Sequence, residues 1–205
     1  MCGRFFIDES PEFLSIVEAV NRSPLASQWR TTTAITTSGE IRPTNVVPVI
    51  ASNRSGKQTI FPMKWGFTAD YGNRPLLINA RVETASVKPT FKEAWQSHRC
   101  IVPASYYFEW EHRIDADGKK KTGDKFMIQP KDATITWLCG LYRMEKGLPT
   151  FVILTKEPSE EIRFIHDRMP LIMPQSFVSD WIKPENSPTD LLKEAENDMI
   201  YERVG

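Results

Sequence analysis

The spacing of apolar residues predicts two amphipathic helices in the first half of the chain. Residues 11–20 repeat apolar side chains at helical intervals, and Pro11 directly after Ser10 is typical of a helix start. Residues 89–98 predict a second, shorter helix with aromatic side chains one turn apart. Segment 21–40 is polar and rich in threonine, which predicts a loop.

Short apolar runs between turn residues predict many strands joined by short connections. Pro48 interrupts one run, which therefore predicts an edge strand or a bend. A polar span at 112–124 separates two others, which predicts a hairpin with a long solvated loop. The predicted strands are 45–50, 59–67, the start of 76–86, 100–111, 125–130, 134–143, 150–155 and 167–173.

The last third of the chain predicts three more short helices. They are residues 158–165, with Ser159 as the cap, residues 175–183 and residues 188–197. The strands do not alternate regularly with helices, and no repeat or linker divides the sequence. We therefore expect one α+β domain over 1–205, with a strongly curved, barrel-like, mostly antiparallel sheet flanked by short helices.

Composition narrows the class of protein. The 205 residues include 26 basic and 26 acidic side chains and are 40% hydrophobic, and the many aromatic residues can fill a core. This excludes a disordered chain, and no apolar run has the length of a membrane span. The first hundred residues carry 12 basic and 8 acidic groups, which favours a basic face there, whereas residues 180–205 form a short acidic tail.

Cysteine and histidine positions argue against a structural metal. The three cysteines contain no CxxC pair, and the three histidines have no HExxH spacing. Cys100 and Cys139 lie in strand-like apolar runs and are expected in the core. We therefore predict no metal and no cofactor.

Cys2 directly follows the initiator methionine and is the sharpest local feature. If Met1 is removed, Cys2 carries a thiol and a free α-amine whose reference pKa is about 8. An amine attacks an aldehyde to form an imine, and the adjacent thiol can then close a thiazolidine ring. The same pair also suits an N-terminal-nucleophile amidohydrolase, and position 2 can equally be filled without a function.

Other polar residues stand where apolar ones are expected. Asn79 lies in an apolar run and needs hydrogen-bond partners if it is buried. Glu109 lies among aromatic residues, where burial would raise its pKa and suit it to proton transfer unless strand alternation points it outward. His166 is a candidate proton shuttle or an ordinary buried histidine, and Arg4 and Arg81 are candidate phosphate contacts.

Taken in order, several segments resemble one known family. They are MCGRF at 1–5, NVVP at 45–48, WGF at 65–67, NARVET at 79–84, RCIVPASYYFEW at 99–110 and IHDRMP at 165–170. This set resembles the SOS-response-associated peptidase (SRAP) family over about residues 1–182. The resemblance implies an SRAP-like fold and a protein that crosslinks itself to abasic sites in single-stranded DNA.

The resemblance implies a role for four residues. Cys2 would form the thiazolidine with the opened abasic sugar, and Asn79 would position that linkage by hydrogen bonding. Glu109 would assist proton transfer, and His166 would act as acid and base in sugar opening and in crosslink reversal. The chemistry read from the residues agrees, since an abasic site is a masked aldehyde.

A second group of residues is assigned to DNA contacts. Arg4 and Arg81 match the family's phosphate-binding arginines, and Thr155 matches its small hydroxyl residue. Trp65 and Phe67 are expected to offer stacking faces, and Arg168 completes the set. After WGF, however, this chain lacks the family's wedge tryptophans, and Tyr71 is the candidate substitute.

Two alternatives to a crosslinking enzyme stay open at the level of sequence. One is a thiol peptidase or autopeptidase acting through Cys2 with the same polar set. The other is a non-covalent module that binds single-stranded or modified DNA. We expect a monomer whose partner is single-stranded DNA with abasic sites. No secretory signal is seen, so we expect a cytoplasmic protein, nucleoid-associated on damage if it is bacterial.

Overall fold

The structure is a computed structural model that describes residues 2–68, 75–114 and 117–205. Its strands are β1 (Arg4–Ile7), β2 (Gly39–Ile41), β3 (Val46–Ser52), β4 (Gln58–Trp65), β5 (Asn79–Arg81), β6 (Arg99–Ala104), β7 (Tyr106–Ile114), β8 (Lys120–Pro130), β9 (Thr136–Glu145), β10 (Leu148–Lys156), β11 (Met169–Pro170), β12 (Ile172–Met173) and β13 (Met199–Arg203).

The helices are short and lie outside the sheets. They are α1 (Pro11–Asn21), α2 (Pro24–Arg30), α3 (Val82–Ala85), α4 (Pro89–Ser97), α5 (Val178–Ile182) and α6 (Pro188–Leu191). Four of them begin with proline after a residue in the extended conformation, an arrangement that needs no N–H at the first helical position. The two helices predicted in the first half of the chain are confirmed as α1 and α4.

Five strands close into a barrel in the order β10-β4-β3-β6-β9, with β9 pairing back to β10. The barrel pairs are antiparallel except for β10 with β4, and β5 also joins β10 in parallel. The predicted α+β class and the strongly curved, mostly antiparallel sheet are therefore confirmed.

A second antiparallel sheet, in the order β13-β8-β7-β1-β2, packs beside the barrel. The main hydrophobic core lies between the two and includes Phe5, Trp65 and Tyr107. Cys2 belongs to the same core and is fully buried. The site residues near Cys2 thus lie where the edge of one sheet meets the barrel.

Two predicted loops contain regular structure. Segment 21–40 forms α2 and the start of β2, because Trp29 is buried and its indole N–H donates to the Pro62 carbonyl at 2.9 Å. The span 112–124 is largely strand, since β7 and β8 continue past a register shift between Trp110 and His112.

Other predicted boundaries also change. Segment 158–165 forms only a 3-10 turn at Glu160–Ile162, and the Ile165 carbonyl accepts a bond from the β7 backbone instead of continuing a helix. Pro48 does not lie in an edge strand, because β3 pairs on both sides. Its own position is opposite Pro62, outside the part of β3 that pairs with β6, so its missing N–H costs no ladder bond there.

The C-terminal segment departs from the prediction in part. Residues 188–197 form α6 and a 3-10 turn at Leu192–Glu194. The acidic tail then adds β13 to the edge of β8 over five paired residues. None of the helices in the described part of the chain is long and apolar enough to cross a membrane.

Candidate functional site

The candidate site begins at the contact between Cys2 and Asn79, which are 77 residues apart in sequence. The side-chain amide of Asn79 donates to the Cys2 backbone carbonyl at 2.9 Å. Asn79 is held there by β5, whose backbone pairs with Ile153 of β10. The Oδ1 atom of Asn79 is buried and has no hydrogen-bond partner among the described residues, so an acceptor in the site is open to a ligand.

The thiol of Cys2 is fully buried and donates a long hydrogen bond to the Arg4 carbonyl, with Sγ and O 3.8 Å apart. Burial raises the pKa of this thiol, and the nearby charge of Glu109 raises it further. The surroundings of Cys2 therefore favour the neutral thiol over the thiolate in the chain that still carries Met1.

Glu109 extends from β7 into the same region and is 5% exposed. Burial raises its pKa, and the charge of Asp167 raises it as well. The backbone N–H of Trp110 donates to one carboxyl oxygen of Glu109 at 3.3 Å. A carboxyl group with a raised pKa holds its proton to a higher pH than an exposed glutamate does, a property that suits general acid–base work.

His166 lies on the segment that precedes β11 and is buried. Its Nδ1 accepts a bond from the Arg168 backbone N–H at 3.0 Å and lies 2.8 Å from Asp167 Oδ1. The ring of His112 packs against it with 4.0 Å between the ring centres. These contacts orient the ring, whose Nδ1 atom lies between a backbone N–H donor and a carboxylate oxygen.

His112, His166 and Asp167 also form the group in the described residues whose spacing would allow a metal. Their ligand atoms lie within 4.8 Å of one another. The Nδ1 atom of His166 is nevertheless already engaged by the backbone of Arg168 and by Asp167. The contacts orient the imidazole within the protein, and they supply no separate indication of a cation.

Arg168 is buried, which changes its expected role. Both of its terminal nitrogens bind the Glu83 carboxylate at 2.8 Å, and one also donates to the Thr155 carbonyl at 2.7 Å. Glu83 is the glutamate of the NARVET segment and begins α3. The two terminal nitrogens of the guanidinium are thus paired inside the protein, and the expectation that Arg168 binds DNA directly is not supported by this geometry.

The remaining residues assigned to DNA contacts divide into accessible and inaccessible ones. Arg81 is exposed at the end of β5, next to Asn79. Arg4 is partly exposed and pairs with Glu40, which also contacts Lys125. Arg4 and Arg81 can therefore reach a phosphate, Arg4 only in competition with Glu40.

Trp65, Phe67 and Thr155 are fully buried. The Trp65 ring packs against Phe5 and Phe151, and its N–H donates to the Ile78 carbonyl at 2.9 Å. The assignment of the two aromatic rings as stacking faces is therefore wrong for this structure, because neither ring meets solvent. The Thr155 hydroxyl donates to the Ala80 carbonyl at 3.5 Å and is not accessible to a DNA strand in this structure.

Tyr71, the candidate substitute for the wedge tryptophans, lies outside the described residues. Two contacts of the site could not be read from sequence. Glu83 pairs with Arg168, which is 85 residues away in sequence. His112 contacts His166 because β7 lies next to the segment that contains His166. Glu83 lies in the NARVET motif and Arg168 in the HDRMP motif, but the sequence does not show that these two residues are partners.

The structure combines a closed five-stranded barrel with a second sheet that carries buried Glu109 and begins next to Cys2. The model of the SOS response associated peptidase (SRAP) family matches residues 1–205. The chain belongs to this family, and the match extends beyond the residues 1–182 that the sequence motifs covered.

The comparisons with known proteins agree in sequence and in fold. The chain is 32% identical to abasic site processing protein YoqW of Bacillus subtilis, over 94% of this chain and 85% of that protein. It is 33% identical to abasic site processing protein YedK of Escherichia coli, over 70% and 65% of the two chains. A crystal structure of a Bacteroides thetaiotaomicron protein superposes with a TM-score of 0.74 at 21% identity, covering 100% and 92% of the chains.

Proposed function

We propose that this protein processes abasic sites by crosslinking itself to them in single-stranded DNA through Cys2. The relatives named as abasic site processing proteins support the lesion as the target. The observation that carries the proposal is the hydrogen bond from Asn79 to Cys2, with buried Glu109 beside them. The proposal requires removal of Met1, because the α-amine of Cys2 is otherwise part of a peptide bond.

The proposed reaction has two steps. The α-amine of Cys2 attacks the aldehyde of the opened sugar, and loss of water gives an imine. The thiol then adds to the imine carbon, so that a sulfur–carbon bond forms and the thiol proton passes to the nitrogen. Nothing is oxidised or reduced, and the thiazolidine no longer withdraws electrons from the sugar, which protects the strand from β-elimination.

Three side chains support these steps in the proposal. Asn79 holds the Cys2 backbone, so the amine and the thiol are directed to the same carbon. Glu109 exchanges the protons that imine formation requires, which its raised pKa allows. His166 opens the sugar as acid and base and reverses the crosslink, and Arg168 with Glu83 supports its segment from inside.

Phosphates of the strand are bound, in the proposal, by Arg81 and by Arg4. Arg4 begins β1, two residues after Cys2, and Arg81 ends β5, two residues after Asn79. A single strand also exposes the lesion without the cost of unstacking a duplex. The proposal assigns no DNA contact to Trp65 and Phe67, which are fully buried.

The test is a denaturing gel of mature protein mixed with a single-stranded oligonucleotide that carries one abasic site. We expect an adduct that withstands detergent, and we expect Cys2→Ala to leave only a borohydride-trappable imine and nicked DNA. A form with an uncleavable extension before Cys2 should give neither product. Equal crosslinking by the extended form would refute the thiazolidine mechanism.

A matched pair of variants tests the role of Asn79. Asn79→Ala removes a bond from a side-chain amide to a backbone carbonyl, and we expect about a fivefold to tenfold slower adduct formation. Asn197→Ala removes a bond of the same kind, to the Ala195 carbonyl at 2.9 Å, together with the bond that Lys156 donates to Oδ1, far from Cys2 in the chain. Equal rates for both variants would exclude a role for Asn79.

Two other outcomes would indicate the alternative functions considered for this chain. Removal of Met1 without any DNA adduct would indicate an autopeptidase. Salt-sensitive, fully reversible binding without an adduct would indicate a non-covalent DNA-binding module.

A further inference from the structure

Tyr107 is a buried phenol beside the candidate site, and the proposed reaction does not yet use it. It lies on β7 two residues before Glu109, so strand alternation places both side chains on the same face. Tyr107 is 1% exposed and shares the main core with Cys2. Its direct partner across the sheet is Phe5, three residues after Cys2.

The hydroxyl of Tyr107 is buried and has no hydrogen-bond partner among the described residues. An unpaired buried hydroxyl costs about 1–3 kcal/mol, so such groups are rare unless a ligand or a reaction uses them. Three buried indole N–H groups of the described residues are, by contrast, paired. Those of Trp29, Trp65 and Trp181 donate to backbone carbonyls at 2.9, 2.9 and 3.1 Å.

Cys2 and Glu109 lie close enough to the Tyr107 hydroxyl to affect its ionisation. Burial raises the pKa of Tyr107, and the charges of Cys2 and Glu109 raise it further, which places both groups close to the phenol. A raised pKa favours the neutral phenol, which can donate a hydrogen bond. Asn79, which binds the Cys2 carbonyl, presents a second unpaired buried atom, its Oδ1.

The Cys2 thiol needs such a donor during ring closure. The nucleophile is the thiolate, and an apolar surrounding disfavours it. The one hydrogen bond of the sulfur to a described residue is its 3.8 Å contact with the Arg4 carbonyl, which is an acceptor and cannot stabilise negative charge. An unpaired O–H group near the sulfur can stabilise this negative charge by donating a hydrogen bond.

Resting on the proposed function, we infer that the Tyr107 hydroxyl donates a hydrogen bond to the Cys2 sulfur while that sulfur adds to the imine carbon. The sulfur–carbon bond forms, the carbon–nitrogen double bond becomes a single bond, and the thiol proton ends on nitrogen. Tyr107 keeps its own proton throughout. Its contribution is to the second step, the conversion of imine into thiazolidine.

The test is Tyr107→Phe, which deletes one oxygen and leaves the ring in place. Two readouts are followed on abasic single-stranded DNA: the rate at which the stable adduct forms, and the fraction of imine that borohydride traps. We expect ring closure to slow about tenfold, with more trapped imine and more strand cleavage. Thermal stability should stay equal or rise, because an unpaired buried hydroxyl is removed.

Tyr106→Phe is the matched control, since Tyr106 is the adjacent tyrosine on the opposite face of β7 and stacks on Phe6. Unchanged ring closure and unchanged imine in Tyr107→Phe would overturn the inference, and so would a marked loss of stability, which would show a paired hydroxyl. Failure of the wild-type protein to form any adduct would instead refute the proposed function, so the two failures are distinguishable.

Discussion

At the residue scale, the polar atoms beside Cys2 are held away from water, and their protonation and pairing depend on protein neighbours. Asn79 uses its amide on the Cys2 backbone, whereas its carbonyl oxygen is unpaired. Glu109 is nearly inaccessible, and burial raises its pKa. Such groups are costly for folding and useful for chemistry, because a ligand that enters the site supplies the missing partners.

The raised pKa of Glu109 predicts a dependence of stability on pH. Above the ordinary glutamate value of 4.5, the folded protein keeps a proton on Glu109 that the unfolded chain releases. Stability from this group therefore falls as pH rises from 4.5 through the raised pKa. Glu109→Gln should remove this fall and unfold at higher temperature than wild type near neutral pH, while it loses crosslinking.

Thermal unfolding of both proteins over this pH range checks the prediction, and each 1 kcal/mol shifts Tm by about 2–4 °C in a domain of this size. Glu111→Gln is the control, because that carboxylate contacts Arg113, whose side chain is largely exposed. If the Tm of Glu109→Gln and the Tm of the wild type changed in parallel with pH, the pKa of Glu109 would not be raised in the folded protein.

The exposure of Arg81 predicts an electrostatic role in DNA binding. Arg81→Ala should weaken binding to a single strand and reduce the slope of log K against log salt by about 0.7, the value for one phosphate contact. The measurement is a salt titration of non-covalent binding with an oligonucleotide that lacks an abasic site. Arg54→Ala, at an exposed turn between β3 and β4, should leave the slope unchanged. Equal slopes for the two variants would make Arg81 a surface residue without a DNA contact.

At the scale of elements, one ion pair joins three parts of the fold behind the site. Arg168, just before β11, binds Glu83 of α3 with two bonds and the Thr155 carbonyl of β10 with a third. The backbone N–H of Arg168 also donates to His166. The position of the imidazole therefore depends on how α3 and β10 hold the arginine.

Glu83→Gln should destabilise the protein by about 1–2 kcal/mol, because it leaves a buried guanidinium without its carboxylate. It should also slow crosslinking, since the segment that carries His166 loses an anchor. Thermal unfolding and the gel assay measure the two effects. Glu160→Gln, which removes an exposed pair with Arg163, should change stability by less than about 1 kcal/mol. A Glu83→Gln protein with wild-type stability and rate would contradict this interpretation.

At the scale of the whole molecule, the C-terminal strand completes the second sheet. β13 pairs with β8 over residues 199–203, and Tyr201 packs against Phe126 and Phe164 with ring centres 5.8 and 5.2 Å apart. The backbone of residues 204 and 205 continues the contact by bonding to Lys125. The tail is thus part of the fold, and it covers an edge that would otherwise be free to pair.

Deletion of residues 199–205 should lower Tm and increase self-association, because β8 becomes an exposed edge strand and aromatic side chains lose their cover. Calorimetry and light scattering measure the two effects, with deletion of Gly205 alone as a milder control that removes one bond to the Lys125 amide. An equally stable, monodisperse truncated protein would show that the β8 edge of the second sheet needs no cover.

The sequence by itself determined the local features of this protein. Apolar spacing predicted α1, α4 and most strands, because burial of one face imposes a period that neighbours in the chain reveal. The position of Cys2 after Met1 and the ordered motifs indicated the family, which the family model confirms. The candidate residues Asn79, Glu109 and His166 were found as polar residues in apolar surroundings.

Only the tertiary structure decided which groups meet and which meet solvent. Trp65 is buried because it packs against Phe5 and Phe151, and Phe67 is buried because it packs against Phe91 of α4. Arg168 is internal and is paired with Glu83. The unpaired hydroxyl of Tyr107 has no sequence signature, since pairing depends on atoms far away in the chain. Periodicity reports the burial of a face, whereas hydrogen-bond partners depend on the tertiary fold, which brings together residues as distant in sequence as Glu83 and Arg168, 85 positions apart.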